Sequence, residues 1–224
     1  MFDFNILVEN FLKRELKPRK DGVYYPSEVG GCLRKSWYSY KNPKQLDSDL
    51  IKIFQAGELI HEFVATVLKS EKNPHIELIG CEEPFQIHHE LFTISGRIDD
   101  LILLKEDNIK VLVEVKSTSN VDVVQEAKDA HVLQLMVYMR ALDIHKGVIL
   151  YMEKNSLNTK TFTVDYDEKK WRFVLNRFKT LHESIITNTI PDPEGRIDPS
   201  MRWLCGRCPY RQDCYEQTPQ DVLP

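Results

Sequence analysis

The sequence predicts one α/β domain with a mixed central sheet flanked by helices. Two observations carry that reading. Apolar residues recur with a helical period in several long stretches, and short alternating runs bounded by turn residues lie between them. The resulting order is helices, a strand meander, a helix, strands and a last helix, which is the pattern of a sheet packed against helical layers. At 224 residues, with 42% hydrophobic and 29% charged side chains, the chain can bury a sizeable core and has a globular balance.

Taken in order, residues 1–18 mix Asp3, Glu9 and Glu15 with a 3.6-residue apolar pattern, which predicts an amphipathic helix and not a signal or transit peptide. Residues 18–26, bounded by prolines, form a loop. Ser27 is placed to cap a short helix carrying Cys32, although Gly30-Gly31 weakens it. From 49 to 72, Leu50, Ile53, Phe54, Ile60, Phe63, Val64, Val67 and Leu68 keep helical spacing. Strands are expected over 76–81, 84–88 and 91–104, then over 109–116 after an Asp107-Asn108 turn. The helical period returns over 121–142. Gly147 breaks it, and strands follow at 148–153 and 159–164. Asp167 can cap a last long helix over 168–187, and the proline-rich remainder is an irregular tail.

The net charge of −4 excludes a polycation, so a nucleic-acid site would have to be a local basic cleft. Lys13, Arg14, Lys17, Arg19, Lys20, Arg34 and Lys35 are the candidates for it. No apolar run approaches the roughly 20 residues that cross a bilayer. A soluble, cytoplasmic protein with no membrane association is expected.

Gly96-Arg97-Ile98-Asp99 precedes Val113-Glu114-Val115-Lys116. Alternate strand residues share a face, so Glu114 and Lys116 project together while Val113 and Val115 pack the other way. If the two strands pair, Asp99 approaches Glu114, and two carboxylates side by side repel unless a cation such as Mg²⁺ or Mn²⁺ lies between them. Lys116 can then orient or activate water, or neutralise charge developing on a phosphoryl group. A surface Glu–Lys pair beside a turn aspartate is the plainer reading. Ile98, Leu101, Ile102, Val111 and Leu112 weigh against it, because charges among buried strands need a reason to be there.

With these residues the chain resembles the PD-(D/E)xK nuclease fold in its RecB-like branch. The matching positions are Gly96-x2-Asp99, Glu114-x-Lys116, Gln134-x3-Tyr138 and Gly57-Glu58-x2-His61. The resemblance implies metal binding by His61, Asp99, Glu114 and the carbonyl of Val115. It implies catalytic roles for Asp99, Glu114 and Lys116, and DNA contacts by Gln134 and Tyr138, which fall on one helix face.

Cys205-x2-Cys208-x5-Cys214 lies near the end of the chain, and Cys32 or Cys81 could supply a fourth thiolate. Cys81 ends an apolar strand and fits a small buried side chain, whereas Cys32 sits in a Gly-rich approach beside basic residues. By spacing alone zinc and iron–sulfur are equally suited. One early cysteine with a late C-x2-C-x5-C resembles the iron–sulfur nucleases of the AddB type, and most of all the CRISPR-associated protein-four (Cas-four) family.

That resemblance spans nearly the whole chain. It implies a single RecB-like nuclease domain over 1–224, in which 1–48 and 188–224 form a cluster-binding region around a nuclease core of 49–187. It also implies a 4Fe–4S cluster on Cys32, Cys205, Cys208 and Cys214, and exonuclease action on DNA that is single-stranded or has single-stranded ends. Endonucleolytic cutting can accompany this in the family. Work beside the CRISPR integrase complex in spacer acquisition is implied as well. Viral and recombination nucleases share the motifs, and a cluster-stabilised DNA-binding module is the non-enzymatic alternative.

Overall fold

Residues 2–217 are described by a computed structural model. Helix α1 (Phe4–Leu12) starts at Asp3, whose carboxylate accepts from the Asn5 amide at 2.8 Å. It is shorter than the predicted span, and Leu12 alone is buried; Phe4 and Phe11 face outward. A two-residue strand β1 (Val23–Tyr24) leads into α2 (Pro26–Val29), α3 (Leu33–Lys41) and the long α4 (Ser48–Leu68). Asp47 caps α4 by accepting from the Leu50 amide at 2.8 Å. Cys32 is thus the N-cap of α3 and is not carried on a helix capped by Ser27, because α2 ends at Val29 and the chain turns through Gly30-Gly31. Close packing requires Gly30, since a Cβ there would fall 2.3 Å from the Ala130 carbonyl oxygen.

The strands follow as β2 (Ile76–Cys81), β3 (Pro84–His88), β4 (Thr93–Arg97), β5 (Asp100–Leu104) and β6 (Ile109–Thr118). Helix α5 (Asp129–Leu142) precedes β7 (Lys146–Glu153) and β8 (Thr159–Asp165), and α6 (Glu168–Ile186) packs behind them. The main sheet runs β2-β5-β6-β7-β8, with β6 and β7 parallel through the α5 crossover and the other pairs antiparallel. A smaller sheet runs β1-β4-β3.

The predicted continuous strand over 91–104 is therefore two strands in two sheets. Ile98 and Asp99 make the hand-over, held by the Glu82 amide donating to the Asp99 carbonyl at 2.9 Å and the Ile98 amide donating to the Glu83 carbonyl at 3.1 Å. The helical period ends before Gly147 as expected, but β7 starts at Lys146, two residues early, so Gly147 lies inside the strand, where a Cβ would come 2.7 Å from the Met139 methyl of α5. Val121 and Val124 kept helical spacing but belong to the loop before α5, from which they plug the core. The tail is less irregular than expected. It holds α7 (Glu194–Ile197), 3-10 turns over Pro199–Arg207 and α8 (Arg211–Gln217).

Two apolar layers cover the main sheet. Ile60 and Val64 of α4 pack on Ile102, Val111, Val113 and Val115, while α5 and α6 pack on the opposite face against Leu101, Leu112 and Ile149. Alternation along β6 consequently turns Glu114 and Lys116 toward α5, as the strand pattern predicted. Among the described residues no helix is long and apolar enough to cross a membrane.

Candidate active site

The predicted residues of the acidic centre arrive on α4, the hand-over between the sheets, and β6. Asp99 sits at the hand-over between the two sheets, and its Oδ2 accepts from the Val115 amide at 2.8 Å, which pins it beside β6. His61 comes from the middle of α4, with Nδ1 3.6 Å from the same Asp99 oxygen. Gly96, just before the hand-over, must be a glycine: a Cβ would meet Pro26 of α2 at 2.9 Å and Phe85 at 3.0 Å. Glu114 is fully buried, and neither carboxylate oxygen has a hydrogen-bond partner, although Lys116 forms a close ion pair with Oε1. Lys116 also donates to Gln134 Oε1 at 3.2 Å, and Gln134 Nε2 donates to the Tyr138 hydroxyl at 2.6 Å. The relay Glu114–Lys116–Gln134–Tyr138 thus runs from β6 to one face of α5.

Burial, and then the neighbouring Asp99 charge, push the Glu114 carboxyl well above the usual carboxylate range, against the pull of Lys116. For Lys116 burial acts downward, but Glu114 and Asp99 outweigh it and raise the ammonium. Burial also raises the Tyr138 phenol, with Glu114 and Asp99 adding to it. Asp100, next in the chain, is nearly buried with Oδ1 unpartnered, and burial pushes its carboxyl up to about 6.

One residue of this centre escaped the sequence reading. Ligand atoms of His61, Glu82 and Asp99 all lie within 4.8 Å of one another. Glu82 follows β2 in a left-handed conformation, φ 53°, and its carboxylate also pairs with Arg97 at 3.3 Å. One imidazole and several carboxylates, among them a buried one without hydrogen bonds, fit a hard divalent cation. His61, Glu82 and Asp99 are the side chains grouped closely enough to hold it, while Glu114, buried and within electrostatic reach of Asp99, lies outside that group.

The centre opens into a cleft of about 1420 Å³ between α4 and the sheet. His61, Asp99, Gln134 and Tyr138 line it, as do Lys69, Arg97, Lys154 and Arg207. None of the seven basic residues singled out from the sequence lines the cleft, and three of them are spent elsewhere. Arg14 pairs with Glu58 at 2.9 Å, Arg19 is paired with the buried Glu28, and the buried Arg34 donates to the Pro191 carbonyl at 2.5 Å.

On the far side of α3, Cys32, Cys205, Cys208 and Cys214 line a single small pocket, while Cys81 lines the cleft. Burial raises the Cys205 thiol, and Cys32, Cys208 and Cys214 raise it further, as closely grouped thiolates would. Glu194 ties the chain ends together there. Its carboxylate accepts from the Leu33 amide at 2.7 Å and from Arg177 at 2.6 and 3.0 Å. Four convergent thiols fit a thiolate-ligated metal or cluster, zinc and iron–sulfur alike.

Comparison with known proteins gives this geometry a family. The model of the PD-(D/E)XK nuclease superfamily matches residues 18–215. No curated protein matches the chain. The crystal structure of SSO0001 superposes with a TM-score of 0.65 at 18% identity, covering 100% of this chain and 98% of that one, so the two share a fold. A phage-related exonuclease from Haemophilus somnus aligns at TM-score 0.47 and 13% identity over 80% of this chain and 98% of its own. The alkaline exonuclease LHK-Exo from Laribacter hongkongensis aligns at 0.44 and 10% over 75% and 91%. The chain belongs to the PD-(D/E)XK nuclease superfamily.

Proposed function

We propose that this nuclease is a metal-dependent DNA exonuclease carrying an iron–sulfur cluster. The observation that carries the reading is that His61, Asp99, Gln134 and Tyr138, from α4, the hand-over and α5, line one cleft, with Glu114 and Lys116 of β6 joined to them through the Lys116–Gln134 bond. A divalent cation held by His61, Asp99, Glu114 and the Val115 carbonyl would supply Lewis-acid charge to the phosphoryl oxygen. The chain does the rest. Lys116, fixed between Glu114 and Gln134, places a positive charge where water attacks phosphorus and where charge builds up. Gln134 and Tyr138 hold Lys116 in place and offer amide and hydroxyl donors to the strand's backbone.

The cysteine pocket supports the second half of the reading, and the resemblance to iron–sulfur nucleases favours iron over zinc. Residues 1–48 and 188–224 would then form the cluster-binding region around a core of 49–187. The Cas-four resemblance further supports single-stranded DNA or single-stranded ends as substrate, and a place beside the CRISPR integrase complex in a cytoplasmic setting. Five cysteines without a disulfide accord with a reducing compartment. A decayed binding module is disfavoured because Asp99, Glu114 and Lys116 are all retained and in register.

The test is anaerobically prepared protein with Mn²⁺ on linear and circular single-stranded DNA. Digestion of linear DNA alone is expected. Equal cutting of circles would replace exonuclease with endonuclease, and iron-free, zinc-loaded protein would remove the cluster.

A further inference from the structure

The cleft and the cysteine pocket share one stretch of chain. Cys205 and Cys208 line the cysteine pocket, whereas Arg207 between them lines the cleft with His61 and Asp99. The turn that separates them is tight, with the Cys208 amide bonded to the Cys205 carbonyl at 3.4 Å. Trp203, earlier in the same 3-10 segment, ties it at the surface to the start of α5: the Lys128 ammonium, at the cap of α5, lies 4.1 Å from the Trp203 ring centroid.

Arg207 is exposed, and its side chain has no hydrogen-bond or ion-pair partner among the described residues. Of the other cations lining the cleft, Arg97 is committed to Glu82, whereas Lys69 and Lys154 resemble Arg207 in making no side-chain hydrogen bond or ion pair among the described residues; Arg207 alone of these offers a free guanidinium. A guanidinium held in an open cleft without a carboxylate, in a chain of net charge −4, is set to meet an anion brought from outside. Its planar fork suits a phosphate.

The cleft reaches along α4 from Ile53 to Lys69 with His61 midway. That is about 24 Å of helix at 1.5 Å per residue, room for nucleotides on either side of the bond being cut.

We propose that Arg207 grips a phosphate of the substrate strand other than the scissile one, so that the cysteine-bearing segment takes part in holding DNA. This rests on the nuclease reading of the cleft. It has a consequence for the cysteines: loosening their pocket displaces Arg207 and weakens DNA hold even though no sulfur belongs to the acidic centre.

The test compares the wild type with Arg207→Ala, Arg207→Lys and Arg202→Ala, the last an exposed arginine of the same segment off the cleft. Binding of a labelled oligothymidylate is measured without divalent metal over a range of salt. Hydrolysis of bis(p-nitrophenyl) phosphate, which has no second phosphate, is measured with Mn²⁺. One lost single-strand phosphate contact makes the slope of log K against log salt shallower by about 0.7, roughly fourfold in affinity at 0.15 M salt. Arg207→Ala should show that change and lose more on DNA than on the ester. Arg207→Lys should restore most of it, and Arg202→Ala should match the wild type. An unchanged affinity and slope in Arg207→Ala, or an equal loss in Arg202→Ala, overturns the proposal. A wild type inert on ester and DNA alike would instead remove the nuclease reading, and the proposal with it.

Discussion

Replacing Asp99 by asparagine separates the metal site from the fold. Asp99 Oδ2 accepts the Val115 amide at 2.8 Å, and the asparagine oxygen can accept it too, so the hand-over between sheets survives. Trading a charge-assisted bond for a neutral one costs about 1 kcal/mol. In a chain of this size that lowers Tm by roughly 2–4 °C. The larger effect is on metal. A cation present at about a hundred times its Kd stabilises the wild type by about 2.7 kcal/mol. That corresponds to a rise in Tm of roughly 5–11 °C. A hundredfold weaker site at the same concentration leaves only about 0.4 kcal/mol, or roughly 1–2 °C. Thermal melts with and without Mn²⁺ read this directly, independently of cleavage. Glu82→Gln, at the rim of the same group, should keep an intermediate rise. A full Mn²⁺-dependent rise in Asp99→Asn would refute the placement of the cation beside Asp99 and His61.

Under the proposed iron–sulfur assignment, serine in place of Cys32, Cys205, Cys208 or Cys214 should bleach the protein's brown colour and lower Tm, whereas Cys81→Ser should keep the colour, because Cys81 lines the cleft and not the cysteine pocket; visible absorption and iron content decide it. Unfolding should be incomplete at first, since Glu194 still ties Leu33 and Arg177. His131 contributes a separable part of the pH dependence, opposite in sign to the raised carboxyls of Glu114 and Asp100. Burial, then Lys116 and Lys128, lower its imidazole from 6.5 to about 3, so the stability of the neutral ring is complete above pH 6.5 and drains away as pH falls toward 3. Urea melts at pH 7 and pH 5 should show a smaller loss in His131→Gln than in the wild type; equal losses would mean the ring charges freely.

Strand alternation made Glu114 and Lys116 legible, because a charge at every second position among Val111, Val113 and Val115 declares its face without any tertiary knowledge. His61, Gln134 and Tyr138 were legible only through the resemblance of Gly57-Glu58-x2-His61 and Gln134-x3-Tyr138 to the nuclease family, since alone each reads as an ordinary helix residue. Glu82 was not. Its place depends on a left-handed turn and on the Asp99 carbonyl across the two sheets, which no local pattern encodes. Arg207 and Lys154 were hidden for the same reason: a cation in a short 3-10 segment or a turn gains meaning only when the fold brings that stretch to the cleft. Helix α3 was missed because Leu33–Lys41 lacks a clean apolar period; its stability comes from contacts, among them Trp37 donating to the Ser184 carbonyl of α6 at 3.0 Å and Tyr38 stacking on Tyr210 at 5.2 Å. Gly147 marked the end of the helical period correctly, but its packing role inside β7 was not legible, because it depends on Met139 of α5 lying against the strand.

Cleavage of end-labelled single-stranded DNA by the wild type and by Lys116→Ala, each with Mn²⁺ and with chelator, tests the nuclease centre most directly. Lys116 is the one cation held between the buried Glu114 carboxylate and Gln134. Metal-dependent cleavage by the wild type, with loss of activity in a Lys116→Ala protein that still binds DNA, is the expected result. Substantial Mn²⁺-dependent cleavage by Lys116→Ala, or cleavage by the wild type that survives chelation, would contradict it.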